Sequence, residues 1–592
     1  MKLRNEIDKS LTWDLSQIFE NEAAWEAAYA EAAATVETIP AIKGTLGASA
    51  ESLKKGLDTL YDAMHKAELV YVYTMLRQSL DNGDAQSQQM SGRAAMLFTK
   101  LSAAASFLEP EILAIDGETL KAYLADPVLA GYKHIIEDID RARPYTLDET
   151  RENMLALLSE ASGSARNAFD MFESVDMTFP TIKNEQGEEV QLSHGNQGAF
   201  RESADRRVRK DAFEAYFGEF KKYINTLAAI YSGSVKFDNY YTKIRGYDSA
   251  CHRALFASNV PVSVYDALVN SLHDALPIMK RYLELRKKVL KLDELHMYDL
   301  YCPIVPECDA KVSFEEAKQM VKDACKPLGE RYQQLLDRAF NERWIDVYET
   351  KGKSTGAYSC GVYDVHPYVL LNFEDNFDGA FTLAHELGHS MHSFFSSEKQ
   401  DYANHDYRIM AAEVASTVNE VLMTRHLLSV ETDPSKRAYL LNHFLEGFRT
   451  TVFRQTLFAE FERKAHEMNQ AGIPLTAETM NKVYRELNEL YYEGAVVDEL
   501  QDIEWARIPH FYRAFYVYQY ATAFCASVSI VRNILETGDA SKYLEFLSMG
   551  GSDYPLEELK VAGVDLTDPA VVNNAMKEME ASLNELESLL LK

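Results

Sequence analysis

Residues 381–395 read FTLAHELGHSMHSFF and contain His385-Glu386-Leu387-Gly388-His389, an HExxH. Histidines four apart stand one turn apart on the same face of a helix, so two imidazoles converge on one cation. Glu386, next to the first histidine, is placed to hold a water and take its proton. This pattern fixes the region as a helix and makes Zn²⁺ the expected cofactor.

Catalytic zinc takes three protein ligands as a rule, so a third must lie downstream. One zincin extension would need Gly at position 392 and His at 395, where this chain has His392 and Phe395. Another class places a Glu about twenty positions after the second histidine. Here Arg408 and Ile409 stand there. The next run, MAAEVASTVNEVLMT from Met410, is apolar or small almost all round. Its exceptions, Glu413, Thr417, Glu420 and Thr424, are spaced i, i+4, i+7 and i+11 and form one polar stripe. Carboxylates on an otherwise buried helix need a cation or donors. Glu413 is therefore the expected third ligand, and Glu420 the acceptor that orients a ligand histidine or the water. The alternative is a stripe that faces solvent.

The surrounding 592 residues carry 27 Gly and 16 Pro, few breakers for such a length, which predicts a mainly α protein. With 61 basic against 91 acidic residues the net charge is −30, which opposes binding to phosphate backbones and anionic membranes. No run of about 18 apolar residues occurs, and the first residues lack a signal-peptide pattern, so the expected location is cytoplasmic. The six cysteines, Cys251, Cys302, Cys308, Cys325, Cys360 and Cys525, form no C-x-x-C pair and read as free thiols.

Helical periods cover residues 12–37, 49–108 with a break at Asp81-Asn82-Gly83-Asp84, 109–126 and 147–173. Residues 177–182 and 189–192 flank Asn184-Glu185-Gln186-Gly187 and read as a hairpin. A boundary near 195 would divide an N-terminal helical domain, 1–195, from a catalytic domain, 196–592. The basic run 205–210, DRRVRK, reads as the solvated face of the next helix. Helices follow over 199–243, 263–292, 314–342, 434–469, 477–492, 511–535 and 571–591. Gly352-Lys353-Ser354 imitates the end of a phosphate loop, but Val347 stands where its first Gly belongs. Residues 356–363 and 368–373 instead read as two strands directly before the HExxH helix. Gly356, Ala357 and Tyr358 then lie on an edge able to pair with an extended peptide, unless the hairpin only packs the helix.

The run 505–520, WARIPHFYRAFYVYQY, places His510 after Pro509 at a helix start, with Tyr512, Tyr516 and Tyr520 repeating every four residues along one side. These groups can donate to an oxyanion. Aromatic core packing is the alternative.

The stretches WDLS (13–16), RYLELRKKVL (281–290), GAYSCGVYDVHPYVLLNF (356–373), FTLAHELGHSMHS (381–393), EVAST (413–417) and IPHFYRAFYVYQYATAF (508–524) together resemble the zinc oligopeptidases related to thimet oligopeptidase, within them the oligoendopeptidase F group. The resemblance implies a helical, zincin-like body with a small β-sheet near the site, two halves enclosing a deep channel, one Zn²⁺, and hydrolysis of internal bonds in short peptides. It matches His385, His389 and Glu413 to the family's ligands and Glu386 to its general base. His510 and a following tyrosine, with Tyr516 favoured over Tyr512 and Tyr520, match the residues that steady the intermediate and hold substrate. His392 reads as structural. An end-trimming zinc carboxypeptidase of the same fold, or a non-catalytic helical peptide-binding scaffold, are the rival readings.

Overall fold

The computed structural model describes residues 2–305 and 311–591. Cys308 therefore lies outside the described residues. The other five cysteines are free thiols. The chain is mostly helical and divides into two compact units, each discontinuous in sequence. The first comprises Met1–Pro144, Ala310–His426 and Ile530–Val564, and the second Tyr145–Asp309, Leu427–Ser529 and Asp565–Lys592. The expected boundary near 195 falls inside the second unit.

In the first unit, helices Glu22–Val36, Ala50–Leu80 and Ala85–Ala105 pack around Trp25, Leu60, Val70, Met90 and Leu97. The Trp25 indole donates to the Val70 carbonyl at 3.0 Å, so the ring is buried without stranding its N–H. The turn at Asp81–Asp84 separates the second and third helices, and the Asp84 carboxylate accepts from Ser87 N–H to start the new one. The first helix begins later than its period suggested, at Glu22 with Asn21 as cap, because Leu15–Gln17 forms only a 3₁₀ turn.

A three-stranded sheet follows: β1 (Ile345–Asp346), β2 (Tyr358–Cys360) and β3 (Tyr368–Leu370). The order is β1-β3-β2, with β1 parallel and β2 antiparallel to β3, which leaves β2 at an edge. Trp13, Leu76, Val362, Tyr368 and Leu370 close a core beneath it. Lys353, in the loop that imitates a phosphate site, is buried and pairs with Asp346 at 2.8 Å, so its charge is consumed in holding β1.

The second unit contains the hairpin Thr181–Lys183/Glu189–Gln191 and a set of long helices, among them Arg206–Lys222, Val262–Val289, Arg454–Gln470 and Ala570–Leu590. The basic run 205–210 is not a purely solvated face. Arg206 and Arg209 both reach the fully buried Asp299, at 2.8 and 2.9 Å, while Arg207 and Lys210 stay outside. An aspartate ninety positions away supplied a partner that a charge count does not reveal.

Candidate metal centre

The helix α1 (Phe377–Lys399) starts at Asn376, whose side chain caps Gly379 N–H at 2.8 Å. It carries His385 and His389 on one face, their ring centroids 4.9 Å apart. The next helix, α2 (Ile409–Val430), brings its Glu413 to them across an unusually close crossing. Gly388 makes that crossing possible: a Cβ there would stand 2.5 Å from the Ala415 carbonyl oxygen and 2.6 Å from Ser416 Cα. The buried Asn419 of α2 locks the crossing, donating to the Ala384 carbonyl at 3.0 Å while accepting from the Tyr332 hydroxyl at 2.8 Å.

Ligand atoms of His385, His389 and Glu413 all lie within 4.8 Å of one another. The two Nε2 atoms are 3.2 Å apart. Two imidazoles on a tetrahedral Zn²⁺ with ordinary Zn–N bonds place these atoms about 3.3 Å apart. Each ring's other nitrogen is engaged: His385 Nδ1 bonds Glu420, and His389 bonds the backbone at Ala412. Those partners hold the protons on the outer nitrogens and turn two lone pairs toward the same point. A cation fits that donor set. Thr424 of the polar stripe turns its hydroxyl to the Glu420 carbonyl instead, at 3.0 Å.

Glu386 is buried, and its carboxylate accepts a hydrogen bond from the Ser359 backbone at the open side of β2. Burial, joined by the charges of Glu413 and Glu420, raises its pKa to about 7 against the opposing pull of His385. Glu413 is likewise raised, by burial first and then by Glu420, against His385. Burial disfavours the charged form of His385, yet Glu420, with Glu386 and Glu413, lifts it to about 9, while burial and the neighbouring His385 lower His389 to about 3. Three carboxyl groups, Glu386 buried and Glu413 and Glu420 half-buried, round two half-buried imidazoles form a place of strong negative potential, which is the electrostatic demand of a divalent cation. His392 is elsewhere: its buried ring stacks on Tyr407 with centroids 3.6 Å apart.

The edge residues divide. Gly356 and Ala357 line a groove of about 390 Å³ with Asn372, Asp378 and Thr382. Tyr358 does not present its ring there. Its phenol is buried beside Trp13, 6.4 Å between centroids, so only its backbone belongs to the edge.

In the second unit, the expected helix from 511 is not formed. Pro509–Tyr512 is a 3₁₀ turn, Phe515 takes a left-handed φ of 57°, and the α-helix begins at Tyr518. The three tyrosines therefore do not share one helical face. Tyr512, half-buried, packs on other rings, stacked on Phe169 at 4.7 Å and beside Tyr231 at 5.9 Å. His510, Tyr516 and Tyr520 do come together, with ring centroids 6.0 and 6.1 Å from the imidazole and the two hydroxyls 3.4 Å apart. Sequence reasoning missed Ser359, Asn419 and Gly388, although a Gly inside an otherwise strong helical period was a visible signal of close packing.

The family model described as peptidase family M3 matches residues 199–578, and one described as oligopeptidase F matches 111–179. This chain belongs to peptidase family M3. As an M3 peptidase it is a metallopeptidase, and its His385-His389-Glu413 group is able to hold the metal. It is 43% identical to oligopeptidase PepF of Bacillus subtilis, over all of this chain and 88% of that one. It is 40% identical to the group B oligopeptidase PepB of Streptococcus agalactiae, over all of this chain and 98% of the relative. The crystal structure of oligoendopeptidase-F from Enterococcus faecium superposes with a TM-score of 0.76 at 37% identity, covering 96% of this chain and 99% of that one. Among the described residues no helix is long and apolar enough to cross a membrane.

Proposed function

We propose that this M3 peptidase cleaves internal bonds of short oligopeptides, with one Zn²⁺ held by His385, His389 and Glu413 and with Glu386 as general base. The observation that carries the reading is the pair of Nε2 atoms 3.2 Å apart with Glu413 in ligand range, beside a buried carboxylate. Zinc, when bound, supplies a Lewis acid that polarises a carbonyl and lowers the pKa of water toward about 7. Glu386, steered by the Ser359 N–H, takes the proton from the attacking water and delivers it to the leaving amine. Glu420 holds His385 by its Nδ1 proton and so keeps its lone pair in place. Gly356, Ala357 and the Tyr358 backbone are the proposed strip for the substrate main chain, by strand addition. Tyr520 is proposed as a substrate contact. His510 and Tyr516 are the proposed oxyanion donors, supported by their common cluster and by the resemblance of 508–524. Tyr512, half-buried and stacked on Phe169, is left out of this proposal. The relatives named oligopeptidases support the substrate class.

Glu386→Gln tests the base. The variant is expected to keep stoichiometric zinc while turnover of a quenched nonapeptide falls about 10²- to 10⁴-fold. Product mapping on the wild type reads internal cleavage against end-trimming. Near-normal turnover by the variant would remove Glu386 from the mechanism, and products shortened only from one end would replace the endopeptidase reading.

A further inference from the structure

Four arginines of the second unit share two carboxylates, and a fifth lies beside them. Glu446 serves both Arg286, at 2.8 Å, and Arg449, at 2.5 Å. Glu504 serves Arg454 at 2.6 Å and Arg507 at 3.5 Å, and already accepts from the Tyr484 hydroxyl and the Gln501 amide. The fifth, Arg201, is 4% exposed and has no described carboxylate. Its Nε is buried without a hydrogen-bond partner, and so is the Nε of Arg507. What Arg201 touches are ring faces: Tyr301 at 4.0 Å and Phe217 at 6.0 Å. Arg507 lies over the same Phe217 ring at 6.0 Å, and Arg449 over Tyr301 at 4.7 Å.

Among the described residues this leaves five positive charges against two negative, an excess of 5 − 2 = 3, inside a protein whose net charge is −30. Ring faces attract a guanidinium but carry no net charge. An unpaired buried charge is strongly unfavourable. The phenol of Tyr301 reports the local field: burial pushes its pKa up, yet Arg454, Arg201 and Arg449 bring it down to about 8. Arginine offers a planar fork of donors suited to a carboxylate, and two guanidinium groups near one ring each keep a buried Nε without a partner.

We propose that Arg201, with Arg507 beside the same Phe217 ring, is a binding site for a monovalent anion of carboxylate or halide size. The anion is either free in solution or the carboxylate of a peptide. The second source rests on the oligopeptidase reading above, while the first does not depend on it.

Thermal unfolding of the zinc-loaded full chain tests the site without any substrate. Sodium chloride, and separately sodium acetate, replaces sodium gluconate at constant ionic strength. The wild type should show a saturable rise of about 2–4 °C in Tm, as expected for a ligand that binds only the folded state. Arg201→Gln should lose the rise, and in gluconate should melt no lower than the wild type because an unpaired charge is gone. Should the Gln variant not fold, Arg201→Lys is read instead, and a smaller rise is expected from a point charge that lacks the fork. In the second arm, KM is compared for a peptide acid and its C-terminal amide. An increase of about tenfold on amidation that disappears in the Arg201 variant assigns the site to a peptide carboxylate, and equal KM values with the Tm rise intact assign it to a free anion. A wild type indifferent to chloride and acetate that also treats acid and amide alike would overturn the proposal, as would any such effect that survives in Arg201→Gln. A chain that hydrolyses no peptide at all would sink the oligopeptidase reading and leave the Tm arm to decide this one.

Discussion

Replacing Gly388 by Ala adds one methyl group at the crossing of α1 and α2. The new carbon would stand 2.5 Å from the Ala415 carbonyl oxygen, 2.9 Å from the Ala415 carbonyl carbon and 2.6 Å from Ser416 Cα, all backbone atoms of a buried helix. Non-bonded carbons rest at about 3.5 Å or more, so the two helices must separate by about 1 Å. Glu413 lies two and three residues from these contacts, whereas His385 and His389 ride on the other helix. A shift of about 1 Å exceeds the tolerance of about 0.2 Å within which a metal site keeps its ligand distances. Zinc affinity should therefore fall by at least the roughly 10- to 100-fold that loss of a supporting partner costs. Global stability should fall as well, by an overpacking cost of about 1–3 kcal/mol of which the better helix propensity of Ala offsets about 1 kcal/mol. Competition against a chromophoric chelator reads the affinity, and thermal unfolding of metal-free protein reads the stability. Gly92, a helical glycine with nothing within 4 Å of its added Cβ, is the control and should be neutral or slightly stabilising as Ala. A Gly388→Ala protein that bound zinc with unchanged Kd would refute the claim that this close approach sets the third ligand.

Glu420→Ala removes the acceptor at His385 Nδ1 and should weaken zinc binding about 10- to 100-fold while leaving the fold intact, read by the same competition assay. Tyr516→Phe should lower kcat more than Tyr512→Phe, whose phenol is packed on Phe169; equal losses would show the cluster with His510 to be structural. Glu558 is 1% exposed, and burial, with Asp553 adding to it, raises its pKa to about 8. Between the usual carboxylate value and pH 8 the folded chain therefore holds a proton that the unfolded chain has released, so this residue makes stability fall as pH rises, by about 1.4 kcal/mol per pH unit at most. Glu558→Gln should flatten denaturant-measured stability between pH 5 and 8, and an unchanged pH slope would show that Glu558 ionises normally.

What could be read in the residue order was whatever repeats within one element. HELGH states its own geometry, because a spacing of four on a helix is a statement about direction. The polar stripe of Glu413, Thr417, Glu420 and Thr424 was legible for the same reason, as a line of oxygens on a helix that has no other use for them. The run after His510 shows how that logic misleads. Tyrosines at 512, 516 and 520 have a perfect helical period, yet the chain breaks between Tyr512 and Tyr518 and Phe515 turns left-handed, a conformation that no property of phenylalanine announces. The two-residue strand β1 has no period to detect at all, and exists because β3 offers it a parallel partner. Charges fared worst. The run 205–210 looks solvent-facing until Asp299 is brought beneath it, and Arg201 looks like any surface arginine until the fold closes Tyr301 and Phe217 over it. The cost of burying a charge is set by partners far away in sequence, so the places where this chain has accepted that cost, the metal centre and the arginine cluster, become visible only when the chain is folded.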